Sequence, residues 1–290
     1  MRLYACLFIV LQATFSVRTE MVVLPVTVTD ARGQSVTGLT ADDFRVFDNG
    51  RLQPITLFRG GDVPVTVGLI VDHSQSMRGK LAAVNAAIAA FAGSGGTQDE
   101  LFVVGFNDHA RLQPLPGGKP FTSDAVELAS ALNAGTPGGR TALYDAVALG
   151  LQHLPAGQAQ RKALIVVTDG GDNASALNYG DVRDLARASH AVIYGIGLTG
   201  SVMQEENPNI LKRLCVDSGG TAHFPPATAD IADVVRAVAR DLRTQYTIGF
   251  APAPAGPRPT FHTIRVHVAS PQGDPRRVRT RAGYTVRPSP

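Results

Sequence analysis

The order of apolar segments predicts an α/β protein: a doubly wound, mostly parallel, Rossmann-like sheet inserted in a β-sandwich built from the N- and C-terminal flanks. Three observations carry this expectation. Between residues 63 and 243, apolar β-branched runs alternate with stretches of helical spacing, the rhythm of parallel strands joined by crossover helices. On either side, residues 21–60 and 245–287 read as β alone, with about three strands each, a number marginal for an independent sheet. The composition, 44% hydrophobic and 18% charged, is that of a globular chain whose core must rest on Val, Leu, Ile and Ala, because Trp is absent and aromatics are few.

The elements follow in order. Arg2 and the apolar run 3–15, with small residues Thr14 and Ser16, read as a signal peptide over 1–16, too short for a stable transmembrane span. In the first flank, 22–29 is a β-branched strand. A second strand, 44–47, closes on Asn49-Gly50 and predicts a hairpin with 53–58. The central unit then opens with an apolar strand over 65–71 and helical spacing over 77–91. Residues 101–106 form a second strand, and Ser123 is a candidate cap for the helix behind it. Helical spacing over 141–154 leads to a third strand, 163–167, continuous enough to be buried on both faces. A helix over 181–189, a strand over 191–196, a helix over 210–216, a short strand over 221–224 and an amphipathic helix over 228–242 complete the unit. The second flank holds strands over 246–250, 261–268 and 277–286.

Charge and cysteine content narrow the function. A net charge of +3 is too small to argue for nucleic acid, and the arginines between Arg258 and Arg287 read as the solvated face of β-strands. The two cysteines, Cys6 and Cys215, lie far apart, and loss of the leader would leave Cys215 alone as a small buried apolar residue.

The chemistry concentrates at strand ends. The first strand runs into Asp72-His73-Ser74-Gln75-Ser76, one carboxylate and two hydroxyls at alternate positions on a tight turn. Taken alone, Ser74 or Ser76 could equally cap the following helix. A Gly-rich segment, Gly138-Gly139-Arg140-Thr141, enters a helix and offers Thr141 as a cap or as a third hydroxyl ligand. The central strand ends at Thr168-Asp169-Gly170-Gly171-Asp172-Asn173. Parallel strands direct their C-terminal ends to one edge, so Asp72, Ser74, Ser76, Thr141 and Asp169 are expected to converge there. Oxygen donors with two carboxylates suit a hard divalent cation, Mg²⁺ first, with Mn²⁺ or Ca²⁺ as alternatives.

These residues resemble the metal-ion-dependent adhesion site of von Willebrand factor A domains, whose pattern is D-x-S-x-S, a distant Thr and an Asp after the central strand. The resemblance covers residues 64–242 and all five positions. It implies that Ser74, Ser76 and Thr141 ligate the ion, that Asp72 and Asp169 act mainly through water, and that an Asp or Glu of a partner protein completes the shell. Gln75 stands where members often carry Gly, and His73 occupies a variable position expected at the surface. The flanks, with Asp42-Asp43-Phe44 and Gln245-Tyr246-Thr247-Ile248-Gly249-Phe250, resemble bacterial (Acidobacteria-type) "VWFA-related" exported proteins.

The expectation is therefore a metal-dependent protein-binding or adhesion module, exported to the periplasm, cell surface or medium. The alternatives are a scaffold whose metal only stabilises, and a metal-dependent phosphoryl or ester hydrolase. Against the hydrolase, residue 74 is Ser where a second acid would stand, and no G-x-S-x-G elbow or Gly-rich Lys-Ser/Thr loop occurs.

Overall fold

The computed structural model describes residues 21–93, 95–198, 208–252, 257–270 and 273–286; the expected leader, 1–16, lies outside them. The first flank supplies β1 (Val22–Thr29), β2 (Phe44–Asp48), β3 (Arg51–Gln53) and β4 (Leu57–Arg59). The central unit runs β5 (Val65–Asp72), α1 (Leu81–Gly93), β6 (Glu100–Phe106), β7 (Ala110–Leu112), α2 (Ala125–Asn133), α3 (Leu143–His153) and β8 (Arg161–Thr168). It continues with α4 (Tyr179–Ala188), β9 (Val192–Gly197), α5 (Pro208–Ser218), β10 (Ala222–His223) and α6 (Ile231–Thr244). The second flank supplies β11 (Tyr246–Phe250), β12 (Thr260–Val268), β13 (Arg277–Arg279) and β14 (Gly283–Val286).

The central sheet has the order β10-β9-β8-β5-β6-β7. All neighbours are parallel except β7, which returns antiparallel along β6. Strand β5 lies in the middle and every one of its residues is buried, so both faces must be apolar. Val65, Val67, Leu69 and Val71 pack with α1, α2 and α6, whereas Ile70 packs with α3, α4 and α5. Gly68 belongs to the second face because a Cβ there would stand 2.4 Å from Phe102 Cζ and 2.6 Å from Leu164 Cδ2. The period of two has a consequence at the strand end. Asp72 continues the α3 face and His73 the α2 face.

The flanks form two antiparallel sheets, β13-β1-β11-β4 and β14-β12-β2-β3, and each sheet mixes strands from both ends of the chain. They share one buried core, including Leu24, Val26, Phe44, Val46, Tyr246, Ile248, Phe250 and Ile264. Neither flank alone could bury these side chains.

Local departures from expectation have physical reasons. Asn49 and Gly50 take φ of 47° and 80°, the two left-handed positions of a tight hairpin turn, but the expected partner 53–58 divides. Residues 51–53 pair with β2, whereas β4 pairs with β11 in the other sheet. Pro54, without an N–H, stands where the chain changes sheets. The expected strand 277–286 breaks the same way into β13 and β14. Asp124, not Ser123, caps α2, accepting hydrogen bonds from Val126 N and Glu127 N at 2.7 and 3.0 Å.

Two arginines of the C-terminal group are not solvated as expected. Arg281 is 4% exposed and donates to the carbonyls of Arg187 and Ser189, closing the C-terminal end of α4. Arg279 pairs with Asp241 of α6, which also accepts from Tyr194 Oη at 2.7 Å. In the reverse direction, buried Arg161 of β8 donates to the carbonyls of Leu242, Arg243 and Gln245 at the end of α6. Guanidinium groups thus satisfy orphan helix carbonyls where the central unit meets the sandwich.

Candidate metal centre

Strands β5 and β8 are adjacent and parallel, in register from Val65 against Arg161 to Val71 against Val167. Asp72 and Thr168 therefore end side by side. Thr168 Oγ1 donates to Asp72 Oδ2 at 2.6 Å, and Ser74 N donates to Asp72 Oδ1 at 2.7 Å. Asp72 is fully buried, and burial first of all, with the Asp169 charge adding, raises its carboxyl to about 6 despite these hydrogen bonds. A carboxylate in that position gains from a nearby cation.

The turn after Asp72 is a 3-10 turn, Gln75–Met77, closed by Met77 N donating to Ser74 O at 3.1 Å. It aims both hydroxyls at the same place. Ser74 Oγ and Ser76 Oγ lie 3.2 Å apart, and Ser76 Oγ donates to Asp169 Oδ1 at 2.7 Å. Neither serine side chain caps a helix: Ser74 makes no cap hydrogen bond, and α1 starts only at Leu81.

Thr141 reaches this edge on a loop held from three sides. Gly138 N donates to His73 O at 2.8 Å, Gln75 N to Gly139 O at 3.3 Å, and Ala142 N to Asn107 O at 2.8 Å. Thr141 N donates to Asn173 Oδ1 at 2.8 Å, and Asn173 N returns a bond to Thr141 O at 3.0 Å. The cap role is taken elsewhere: Asp172 Oδ2 accepts from Tyr144 N at 3.0 Å in the first turn of α3. Asp145 in turn accepts from Ala176 N and Leu177 N, both at 3.0 Å. The Thr141 hydroxyl makes no hydrogen bond among the described residues, and its Oγ1 is 3.8 Å from where a Cβ on Gly170 would lie, just past Asp169. Asp145 and Asp172 therefore lock the loop after β8 to the start of α3, and capping of α3 does not fall to the Thr141 hydroxyl.

The spacing of the two serine hydroxyls suits a divalent ion. Cis ligands of an octahedral ion at 2.0–2.1 Å would be about 3 Å apart, and at calcium distances about 3.5 Å. The 3.2 Å between Ser74 Oγ and Ser76 Oγ falls between these. No group of three or more His, Cys, Asp or Glu side chains that could hold a metal occurs among the described residues. A cation at this edge would be met by hydroxyls backed by two carboxylates, and these residues suit it.

Two residues differ from expectation. His73 is buried, 3% exposed, where the surface was expected. Its ring follows the α2 face of β5, with Nε2 3.4 Å from Leu132 O, and fits against Gly105 and Gly135, where a Cβ would come within 3.0 and 2.5 Å of it. The alternation along β5 carries that information. The second residue, Lys80, was missed altogether: its Nζ pairs with Asp169 Oδ2 at 2.6 Å and lies 3.3 Å from Leu198 O. Its eight-residue separation from Asp72 hides it in a run that reads as helix.

Comparison with known proteins agrees with the fold. Residues 67–171 match the family model described as von Willebrand factor type A domain. No curated protein matches by sequence. Among solved structures, a von Willebrand factor type A protein from Catenulispora acidiphila is similar at a TM-score of 0.56 and 12% identity, over 94% of this chain and 75% of that one. Proximal thread matrix protein 1 from the mussel byssus, in a form with a zinc-occupied MIDAS motif, is similar at 0.54 and 17% identity, over 69% of this chain and 50% of its own. The chain thus spans about half the mussel protein's length. An aerotolerance-related membrane protein from Bacteroides fragilis is similar at 0.50 and 16% identity, over 61% and 98%. Sequence profile and sheet order agree: residues 67–171 match the von Willebrand factor type A domain, and the α/β unit that contains them has the fold of these solved structures.

Proposed function

We propose that the chain is a divalent-metal-dependent protein-binding module, with Asp72, Ser74, Ser76, Thr141 and Asp169 as its metal site. One observation carries the reading: the hydroxyls of Ser74 and Ser76 gather beside two buried carboxylates, and Thr141 Oγ1, on a loop bonded to the same turn, has no hydrogen-bond partner among the described residues. Thr168 and the Ser74 amide hold Asp72 beneath the site, and Ser76 spends its proton on Asp169, so its lone pairs face the gathered oxygens. Mg²⁺, when bound, supplies an electrophilic centre that can accept a carboxylate from outside. The side chain expected there is an Asp or Glu of a partner protein. The zinc-occupied MIDAS motif of the mussel protein supports a metal at this edge of the fold.

A binding role fits better than catalysis. Asp72 is fully buried and both its oxygens accept hydrogen bonds within the chain, which suits support of a cation and not attack on a substrate. We infer an exported setting from the leader-like residues 1–16, and no described helix is long and apolar enough to cross a membrane.

Titration calorimetry with Mg²⁺ tests the site: binding is expected in the wild type and lost in Asp72→Ala and Ser74→Ala. Undiminished binding in either variant rejects the assignment. Capture of envelope proteins with and without EDTA then tests the module. A partner retained equally in EDTA, with a melting shift on Mg²⁺ addition, would favour the purely stabilising metal.

A further inference from the structure

The centre contains a cation of its own. Lys80 Nζ sits 2.6 Å from Asp169 Oδ2, on a carboxylate that is 2% exposed, while Lys80 itself is 18% exposed at the side chain. Its place in the chain is unfavourable for a positive charge. Lys80 immediately precedes α1, and Val84 N donates to Lys80 O at 3.1 Å, so the ammonium belongs to the first turn, at the positive end of the helix dipole. No acidic residue of that first turn offsets it. Asp169 is its ion-pair partner, and Leu198 O accepts a weaker bond at 3.3 Å.

Charge at the edge then adds up simply. Asp72 and Asp169 contribute two negative charges, and Lys80 returns one positive charge. A divalent ion arriving there meets a net charge of about −1 instead of −2, and its attraction is weakened accordingly. Both oxygens of Asp169 are engaged, one by Ser76 and one by Lys80, so stronger binding to an incoming ion requires Lys80 to loosen.

We propose that Lys80 is a built-in counter-cation that competes with the divalent ion for Asp169, stabilising the metal-free centre and setting a ceiling on metal affinity. This inference rests on the metal-site reading above. Its consequence is reversible, concentration-dependent occupancy in place of a permanently filled site.

The test is Mg²⁺ calorimetry and thermal melting of the full chain as wild type, Lys80→Met and Lys80→Gln. Loss of the ammonium should tighten the Mg²⁺ Kd about tenfold in both variants. It should lower the melting temperature in EDTA, and saturating Mg²⁺ should raise it by more than in wild type. An unchanged or weakened Kd overturns the proposal, because Lys80 then only supports the fold or positions Asp169 for the metal. Variants that stay unfolded by circular dichroism even in saturating Mg²⁺ overturn it as well, whereas folding rescued by Mg²⁺ supports it. If neither wild type nor variant binds Mg²⁺, the metal-site reading itself has failed. A wild type that binds with the same Kd as both variants removes only the role of Lys80.

Discussion

Asp72 and Asp48 are both buried carboxylates at strand ends, and the molecule satisfies them in opposite ways. Asp48 ends β2 in the sandwich. His262 Nδ1 lies 2.8 and 3.0 Å from its two oxygens, and Tyr284 Oη donates to it at 2.8 Å. Burial and the Asp48 hydrogen bond hold the Tyr284 phenol above its ordinary range, so the donor persists at any working pH. Every partner there comes from the opposite end of the chain, which ties the first flank to the second. Asp72 receives only a hydroxyl and an amide, faces Asp169 across the edge, and its carboxyl is pushed up to about 6. The closed cluster contributes to stability; the open one costs stability, a cost that the proposed cation would offset. A buried acid held by an imidazole and a phenol from the far end of the chain ties the fold together, whereas one held only by a hydroxyl and an amide beside a second acid is a candidate for binding.

The comparison can be broken most decisively at Asp48. Asp48→Ala leaves His262 and Tyr284 facing an unfilled space and should lower stability by about 3 kcal/mol, read by denaturant unfolding. Mg²⁺ affinity below the melting transition should be unchanged; a parallel loss would mean that the two clusters are coupled.

At Asp72 the expected sign is the reverse. Asp72→Asn should stabilise the protein in EDTA at pH 7.5, by on the order of 3 kcal/mol at most for a shift from 3.8 to about 6, while abolishing Mg²⁺ binding. The sign follows from linkage. The native state holds this proton more tightly than the unfolded chain, so Asp72 makes metal-free stability fall as pH rises from about 4 through about 6. Asp72→Asn should flatten that slope, and a variant less stable than wild type at pH 7.5 would refute a destabilising carboxylate.

The smallest effect belongs to Thr141. Its hydroxyl has no hydrogen-bond partner among the described residues, so Thr141→Ala should leave melting in EDTA almost unaltered and weaken Mg²⁺ about tenfold, about 1.4 kcal/mol. Thr141→Ser should bind like wild type. Equal affinity across all three proteins would show that Thr141 is outside the site.

Much of this was legible in order and spacing. Apolar runs of strand length separated by helical periods determined the parallel sheet, because residues buried on both faces leave few other arrangements. The same order placed Asp72 and Asp169 at one edge, since adjacent parallel strands end together. Even the burial of His73 is written in the alternation along β5, although it was expected at the surface. Contacts that depend on where distant chain segments dock were not legible. Lys80 reaches Asp169 only because α1 starts above the end of β8. The split of 53–58 and of 277–286 between two sheets is set by which edge each strand finds free. Arg161 and Arg281 look like ordinary strand charges until the helix ends they cap are brought beside them.

By itself, then, the sequence determined the sheet, its polarity and the candidate oxygen donors at its edge, because strand periodicity and turn chemistry are local. Tertiary structure alone decided that Thr141 is released from capping by Asp172, that Lys80 shares Asp169, and that the flanks close on Asp48. Each of these depends on which polar groups remain unpaired after the elements pack, a balance that local sequence does not contain.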